Sequence, residues 1–148
     1  MTQEEKQLLL KDLCARLPYG VKGIRTYRPE ETVTLGEIIP RCKMNPNVGN
    51  GSFCKLGFDD TLDCCVIAEF KPYLRSMSSI TEKEEEEFKQ VLEIELDYLA
   101  SDETGHTVKS ATSSAFVIDF YNAHHFDYRG LIPMGLAIEA PEGMYKTE

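Results

Sequence analysis

The sequence predicts an α+β fold: an N-terminal helix, a strongly bent antiparallel sheet of about four or five strands, and two C-terminal helical segments. Apolar residues recur at helical spacing near the N-terminus, strand-length runs follow from Val21 to Arg75, and helical spacing returns at Glu82. By strand count and order, such a bent meander resembles a small SH3-like or Sm-like barrel. The chain of 148 residues has no separating linker, so residues 1–148 are expected to form a single domain.

The first helix is predicted by its cap and by its apolar stripe. Thr2 followed by Glu5 is a capping box, in which each side chain bonds the backbone amide of the other residue. The stripe at i, i+3, i+4 and i+7 consists of Leu10, Leu13, Cys14 and Leu17, and Leu9 widens it. Pro18 is expected to end the helix, and Gly20 allows the chain to turn.

Four runs rich in β-branched and aromatic residues predict the sheet. They are Val21–Tyr27, Thr32–Ile39, Ser52–Phe58 and Asp63–Phe70. Gly36 predicts a bulge or bend in the second run. The fourth run is the most apolar and is expected to be central, and residues 71–75 continue it. Turn residues crowd the stretch 41–52, which predicts a loop.

The C-terminal half contains one clear helix and one ambiguous segment. Thr81 with Glu84 forms a second capping box, and helical spacing then extends from about Glu82 to Ala100. Residues 115–125 are interpreted as a third helix, while a strand over 115–120 is the alternative. The apolar stretch 131–140 is consistent with a helical turn.

The charge is unevenly distributed. The formal net charge is −9, and ten acids against two lysines between Glu82 and Glu103 carry −8 of it. This run indicates either a solvated helix face or a docking surface for a basic partner. The balance argues against nucleic-acid binding, which stays a third hypothesis through the scattered basic residues Lys22, Arg25, Arg28, Lys71 and Arg75.

Cysteine usage and hydropathy bear on the compartment. Five cysteines include no C-x-x-C pair, and neither an export signal nor an apolar run of about 20 residues is present. We therefore expect a cytoplasmic protein with reduced thiols and no membrane contact. Cys64 and Cys65 are adjacent, so on a strand their side chains would point to opposite faces.

The sequence Asn122-Ala123-His124-His125-Phe126-Asp127 holds the catalytic residue types in closest order. His124 and Asp127 lie at i, i+3 and are able to face each other on a helix, while adjacent histidines rarely share a metal. His124, His125 and Asp127 are therefore candidate acid–base residues, and His106, His124 and His125 are candidate metal ligands. The alternative is that one histidine packs in the structure and the other is solvated. No cofactor-binding motif is present.

Two apolar stretches are candidates for an interaction surface. One is the predicted sheet edge that contains Phe70, Tyr73 and Leu74, and the other is the C-terminal stretch that contains Leu136 and Ile138. Exposure of either would indicate binding to a protein partner or self-association. Burial of both in the core is the alternative, since apolar runs in small domains are usually core.

Three stretches carry a resemblance to known sequences: Lys11–Lys22, Phe70–Ser79 and Asn122–Ile132, with 135–141 as the tail of the last. With these stretches the chain resembles a family of small uncharacterised proteins of gut anaerobic bacteria and of their phages and mobile elements. The resemblance implies a bacterial or phage cytoplasmic protein and assigns no activity.

The hypotheses are ordered by these observations. The first is a non-catalytic interaction or regulatory module. The second is a small enzyme or metal-dependent protein that uses His124, His125 and Asp127. The third is a small nucleic-acid-binding barrel.

Overall fold

The computed structural model describes residues 1–43, 52–100 and 108–145 and shows an α+β fold. A helix α1 (Gln3–Arg16) precedes the sheet, and helices α2 (Glu82–Ala100) and α3 (Val108–Ala123) follow most of it. The strands are β1 (Lys22–Arg25), β2 (Arg28–Lys43), β3 (Ser52–Phe58), β4 (Cys64–Val66), β5 (Phe70–Leu74) and β6 (Ile138–Glu139). Along the part of the chain described, no helix is both long and apolar enough to cross a bilayer.

Helix α1 begins as predicted but buries a different face. The capping box of Thr2 and Glu5 is present. Four residues at i, i+3, i+4 and i+7 are buried in α1: Leu9, Asp12, Leu13 and Arg16. Of the predicted stripe, Leu9 and Leu13 are buried, Leu10 and Leu17 are half-buried, and Cys14 is exposed. The face tolerates Asp12 and Arg16 because their opposite charges meet within it.

The six strands form one mixed sheet in the order β4-β3-β2-β1-β5-β6. Neighbouring strands are antiparallel except β5 and β6, which are parallel. Among the described residues β4 and β6 are the two edges and do not pair with each other, so the predicted barrel is wrong and the sheet is open. The register of β2 against β3 shifts between Leu35 and Glu37, which confirms the irregularity predicted at Gly36.

The run Asp63–Phe70 is not one central strand. It is divided into β4, a 3-10 turn at Ile67–Glu69 and the start of β5, and β4 lies at the sheet edge. The apolar character of the run arises because Cys65, Ile67 and Phe70 enter the core from three separate segments. The apolar composition of the run predicted its burial correctly, but it did not predict the 3-10 turn at Ile67–Glu69.

The cysteines follow the strand geometry. Cys64 is exposed and Cys65 is buried, which confirms that the adjacent thiols point to opposite faces. Burial raises the pKa of Cys65 to about 12, so its thiol stays protonated at neutral pH. Cys14, Cys54, Cys64 and Cys65 are free thiols.

The two later segments are helices, as the sequence predicted, and the length of one of them also matches the prediction. Helix α2 has the predicted bounds, and its Thr81–Glu84 capping box is present. Helix α3 starts at Val108, so the strand alternative for 115–120 is wrong. Of the predicted loop, residues 41–43 extend β2, and 44–51 lie outside the described residues. The stretch 131–140 forms turns and then β6 rather than a helical turn.

The candidate interaction residues lie mostly in the core. Phe70, Leu74 and Leu136 are buried, because β5 places alternate residues inside and the C-terminal stretch covers the same core. Tyr73 and Ile138 are half-buried. None of these five side chains is therefore fully exposed.

Candidate functional site

Helix α3 ends in a Schellman motif, and the two histidines at this end, His124 and His125, contact different neighbours. The amide of Phe126 donates to the carbonyl of Tyr121 at 2.9 Å, and the amide of His125 donates to Asn122 at 3.2 Å. His125 takes the left-handed position with φ 60°, where glycine is usual. The fold holds a strained, non-glycine residue here, and such residues concentrate at functional sites.

His124 lies between two carboxylates of α2. Its Nδ1 is 3.3 Å from Glu84 Oε1, and its Nε2 is 3.4 Å from Glu87 Oε2. Its ring also packs on Phe120, with ring centroids 4.4 Å apart. These contacts join the end of α3 to the beginning of α2.

Arg75 and Glu84 form the ion pair behind His124. Arg75 Nη1 and Nη2 donate to the two carboxylate oxygens of Glu84 at 2.5 and 2.9 Å. Burial by itself would raise the pKa of Glu84, but the hydrogen bonds and charge of Arg75, with the hydrogen bonds from Thr81, lower it to about 2. The guanidinium also lies over the ring of Phe126, 4.5 Å from its centroid.

His125 is buried against the C-terminal end of the described chain. Its ring stacks on Tyr145 with centroids 3.7 Å apart. Burial lowers the pKa of His125 to about 3, and the positive charges of Arg16 and Arg75 act in the same direction. The ring is therefore neutral at physiological pH, and its Nδ1 has no hydrogen-bond partner in the structure.

The hydroxyl of Tyr145 is inserted between two strands. The amide of Lys22 donates to it at 2.9 Å, and it donates to the carbonyl of Tyr73 at 2.9 Å. Strands β1 and β5 are antiparallel and Gly23 pairs with Pro72, so the next position along the ladder places Lys22 opposite Tyr73. The phenol thus replaces one direct bond of the β1–β5 ladder and holds the tail on the sheet.

We expect Tyr145→Phe to destabilise the fold by about 1–3 kcal/mol, because a backbone donor and a backbone acceptor lose their shared partner. The stack on His125 is retained in this variant. Urea unfolding followed by circular dichroism measures the change. Tyr27→Phe is the matched control, since Tyr27 is half-exposed and its hydroxyl donates to the Cys64 carbonyl over a long 3.4 Å. Equal stability of both variants would contradict the inserted role of the Tyr145 hydroxyl.

Tyr145 and Arg75 line two clefts. The first, of about 740 Å³, is lined by polar residues after β5 and by the chain after β6. The second, of about 460 Å³, lies between the end of α3 and the beginning of β1 and includes His124, His125 and Lys22. Both volumes suit a small ligand or a peptide side chain.

The predicted set of His124, His125 and Asp127 is not assembled as a group. Asp127 is buried and accepts hydrogen bonds from the amides of Leu131 at 2.8 Å and Ile132 at 2.9 Å, so it shapes the turn that follows α3. His124 faces Glu84 and Glu87 instead. Gly130 ends this turn in the left-handed region with φ 73°, which glycine adopts without strain.

Two of the three predicted metal ligands, His124 and His125, lie among the described residues. His106 lies outside the described residues. In the portions 1–43, 52–100 and 108–145, no group of three or more His, Cys, Asp or Glu side chains is arranged to hold a metal ion. His124 and His125 point to different neighbours.

One buried cluster was missed by sequence reasoning. Asp12 accepts from Arg16 Nε at 2.7 Å and Nη2 at 3.1 Å, and Arg129 Nε lies 3.3 Å from the same carboxylate. Arg16 also donates to the carbonyl of Phe126 at 2.6 Å. The i, i+4 spacing of Asp12 and Arg16 could have predicted their ion pair from the sequence. The contact with Arg129 could not be predicted, because Arg129 is distant along the chain.

Three of the five basic residues named for nucleic-acid binding are paired with carboxylates. Arg25 is buried and contacts Glu31 and Asp63, and Arg28 lies near the same two acids. Arg75 is bound to Glu84. These pairs reduce the charge available to phosphate groups.

No protein-family model, curated protein or solved structure shows a significant match to this chain.

Proposed function

We propose that this protein is a non-catalytic interaction module that binds an extended, basic segment of another protein at the first cleft. The observation that carries the proposal is the position of that cleft, which combines free carboxylates with an edge of the sheet. The resemblance noted in the sequence suggests that the partner is a bacterial or mobile-element protein, and we place both in the cytoplasm.

The lining of the first cleft suits a basic side chain. Glu139 and Glu142 are exposed at its rim, while Ser76, Ser79 and Thr81 supply hydroxyl groups. Arg75 also borders the cleft, but buried Glu84 neutralises its charge. A lysine or arginine side chain that enters the cleft would therefore meet carboxylates and hydrogen-bond acceptors.

The beginning of α2 adds negative charge beside the same cleft. Thr81, which caps α2, lines the cleft, and Glu82, Glu85 and Glu86 are exposed in the first turns that follow it. Opposite charges across an interface increase the association rate and select the partner. An acidic surface here favours a basic partner over an acidic one.

The sheet edge offers backbone hydrogen bonds as well. Strand β6 pairs with β5 on one side and is an edge of the described sheet, and the chain after it, from Ala140 to Gly143, borders the cleft. Edge strands carry unpaired N–H and C=O groups that an added strand can use. An extended peptide would thus combine main-chain pairing with side-chain contacts to the acids.

The experiment measures fluorescence anisotropy of a labelled peptide in which Arg alternates with Thr. We expect binding to weaken with salt, and the double variant Glu139→Gln/Glu142→Gln to bind about tenfold more weakly, because each exposed ion pair contributes up to about 1 kcal/mol. A peptide with Glu in place of Arg should not bind. Glu30→Gln is the matched control, since Glu30 is exposed on β2 near the opposite end of β1.

Two results would overturn this proposal. One is equal affinity of the wild type and the double variant for the basic peptide. The other is concentration-dependent dimerisation in light scattering that the double variant abolishes, because the occupant of the cleft would then be a second copy of the chain.

A further inference from the structure

The segment that follows β6 is anchored to the rest of the protein at two points. We call the residues from Ala140 to Tyr145 the strap. The amide of Ala140 donates to the carbonyl of Leu74 at 2.7 Å, and the side chain of Tyr145 is inserted between β1 and β5. Residues 141–143, which lie between these anchors, are exposed. The strap is therefore anchored at its first and last residues, with exposed chain between them.

The notch that receives Tyr145 is formed by the backbone of Lys22, the carbonyl of Tyr73 and the ring of His125. The phenol oxygen accepts from the Lys22 amide and donates to the Tyr73 carbonyl, both at 2.9 Å. The phenol ring stacks on His125 with centroids 3.7 Å apart. Burial raises the pKa of Tyr145 to about 12, so the hydroxyl keeps the proton that it donates.

These contacts select tyrosine among the standard side chains. Phenylalanine can stack on an imidazole, but it has no oxygen for the amide and the carbonyl. Serine and threonine have a hydroxyl group but no ring, and the indole of tryptophan donates without accepting. Tyrosine combines a flat ring with one oxygen that both accepts and donates. A phosphorylated tyrosine does not meet these requirements, because its ester oxygen carries no proton to donate.

A glycine close to this anchor allows the strap to swing. Gly143 adopts φ 80°, and apart from its chain neighbours no atom of the described residues lies within 4 Å of the position that a Cβ would occupy. Rotation at Gly143 can therefore move Tyr145 out of the notch without a clash at the glycine itself. Tyr145 also lines both clefts, so the notch borders open space through which another segment can approach.

We propose that the notch is a binding site for a tyrosine side chain on an extended segment of a partner protein, and that the strap is its intramolecular competitor. The segment seated in the structure shows what the partner must present, which is an unmodified tyrosine on exposed chain. The strap closes the site in the absence of a partner, since a short tether gives a ligand an effective concentration on the order of mM. The site goes beyond the binding of a basic segment, because its contacts involve neither Glu139 nor Glu142.

The test measures fluorescence anisotropy of a labelled, amidated peptide with the sequence of residues 140–145. We expect the full chain with Tyr145→Ala to bind this peptide at least tenfold more tightly than the wild type, whose strap competes. Peptides with phenylalanine or phosphotyrosine at the last position should bind the variant about tenfold more weakly. The peptide contains no basic residue, so failure of this test is distinguishable from failure of the proposed function.

Tyr27→Ala is the matched control, because it removes a half-exposed tyrosine that lies outside the notch. It should bind the peptide as weakly as the wild type does. The wild type also provides a measurement that does not depend on the folding of a variant. In amide NMR, the tyrosine peptide should shift the resonances of His125 and Tyr145 once it exceeds the effective concentration of the strap, and the phenylalanine peptide should not.

Three results would overturn this proposal. One is equal affinity of Tyr145→Ala for the tyrosine and phenylalanine peptides. Another is the absence of any shift in the wild type at peptide concentrations above the effective concentration of the strap. The third is dimerisation of the wild type that Tyr145→Phe abolishes, because the occupant of the notch would then be the strap of a second copy.

Discussion

Asp12→Ala is expected to destabilise the protein by about 3–5 kcal/mol, the usual cost of removing one partner from a buried ion pair. Asp12 and Arg16 are fully buried, and Asp12 is also the carboxylate nearest to Arg129 Nε, at 3.3 Å. Without it, two guanidinium groups lose their counterion, and Nη1 of Arg16 already lacks a hydrogen-bond partner. Urea unfolding monitored by circular dichroism measures the free energy of unfolding.

The control for this prediction is Lys11→Ala, which changes an exposed residue next to Asp12 in the same helix. It should alter stability by no more than about 0.5 kcal/mol. Asp12→Asn, which keeps one acceptor oxygen but loses the charge, should fall between the two. A loss in Asp12→Ala no larger than in Lys11→Ala would show that the buried cluster does not support the fold.

Glu84→Gln is expected to lower stability at neutral pH by about 3 kcal/mol, because it leaves Arg75 without its charged partner. Glutamine retains the capping box with Thr81, so the helix start itself is preserved. The pKa of Glu84 is about 2 in the fold, against an ordinary value of 4.5. The carboxylate therefore stabilises the folded state above about pH 4.5, and this contribution disappears as the pH falls from 4.5 towards 2.

The stability difference between wild type and Glu84→Gln should accordingly be greatest at neutral pH and small near pH 2. Urea unfolding at a series of pH values provides the measurement. Glu85→Gln is the control, because Glu85 is exposed one residue further along α2. A difference that stays constant between pH 4.5 and 2 would mean that another group carries the acid sensitivity.

Local signals were predicted well. The two capping boxes, the bounds of α2 and those of β3 match the sequence interpretation, since caps and periodicity depend on residues only a few positions apart. The prediction of a single fourth strand over Asp63–Phe70 was wrong. Apolar composition indicates that residues are buried, but it does not indicate where the chain changes direction. The 3-10 turn at Ile67–Glu69 also contributes the buried Ile67 to the core.

The candidate site shows the same division. His124 and His125 were selected from the sequence, and both line the second cleft. The residues that contact this site were not predicted from the sequence. Glu84 contacts His124 from another helix, and Tyr145 hydrogen-bonds Lys22, which is 123 positions away in the chain. Such contacts are set by how the elements pack, and one sequence contains no local signal for them.

By itself the sequence determined the α+β class, the start of α1, the extent of α2 and the concentration of acid between Glu82 and Glu103. Only the tertiary structure decided that the sheet stays open, that Asp127 shapes a turn, and that His125 stacks on Tyr145. The physical reason is the distance along the chain over which each kind of interaction acts. Capping and helical periodicity act within about one turn of helix, whereas strand order and buried polar contacts depend on the packing of segments that are distant along the chain.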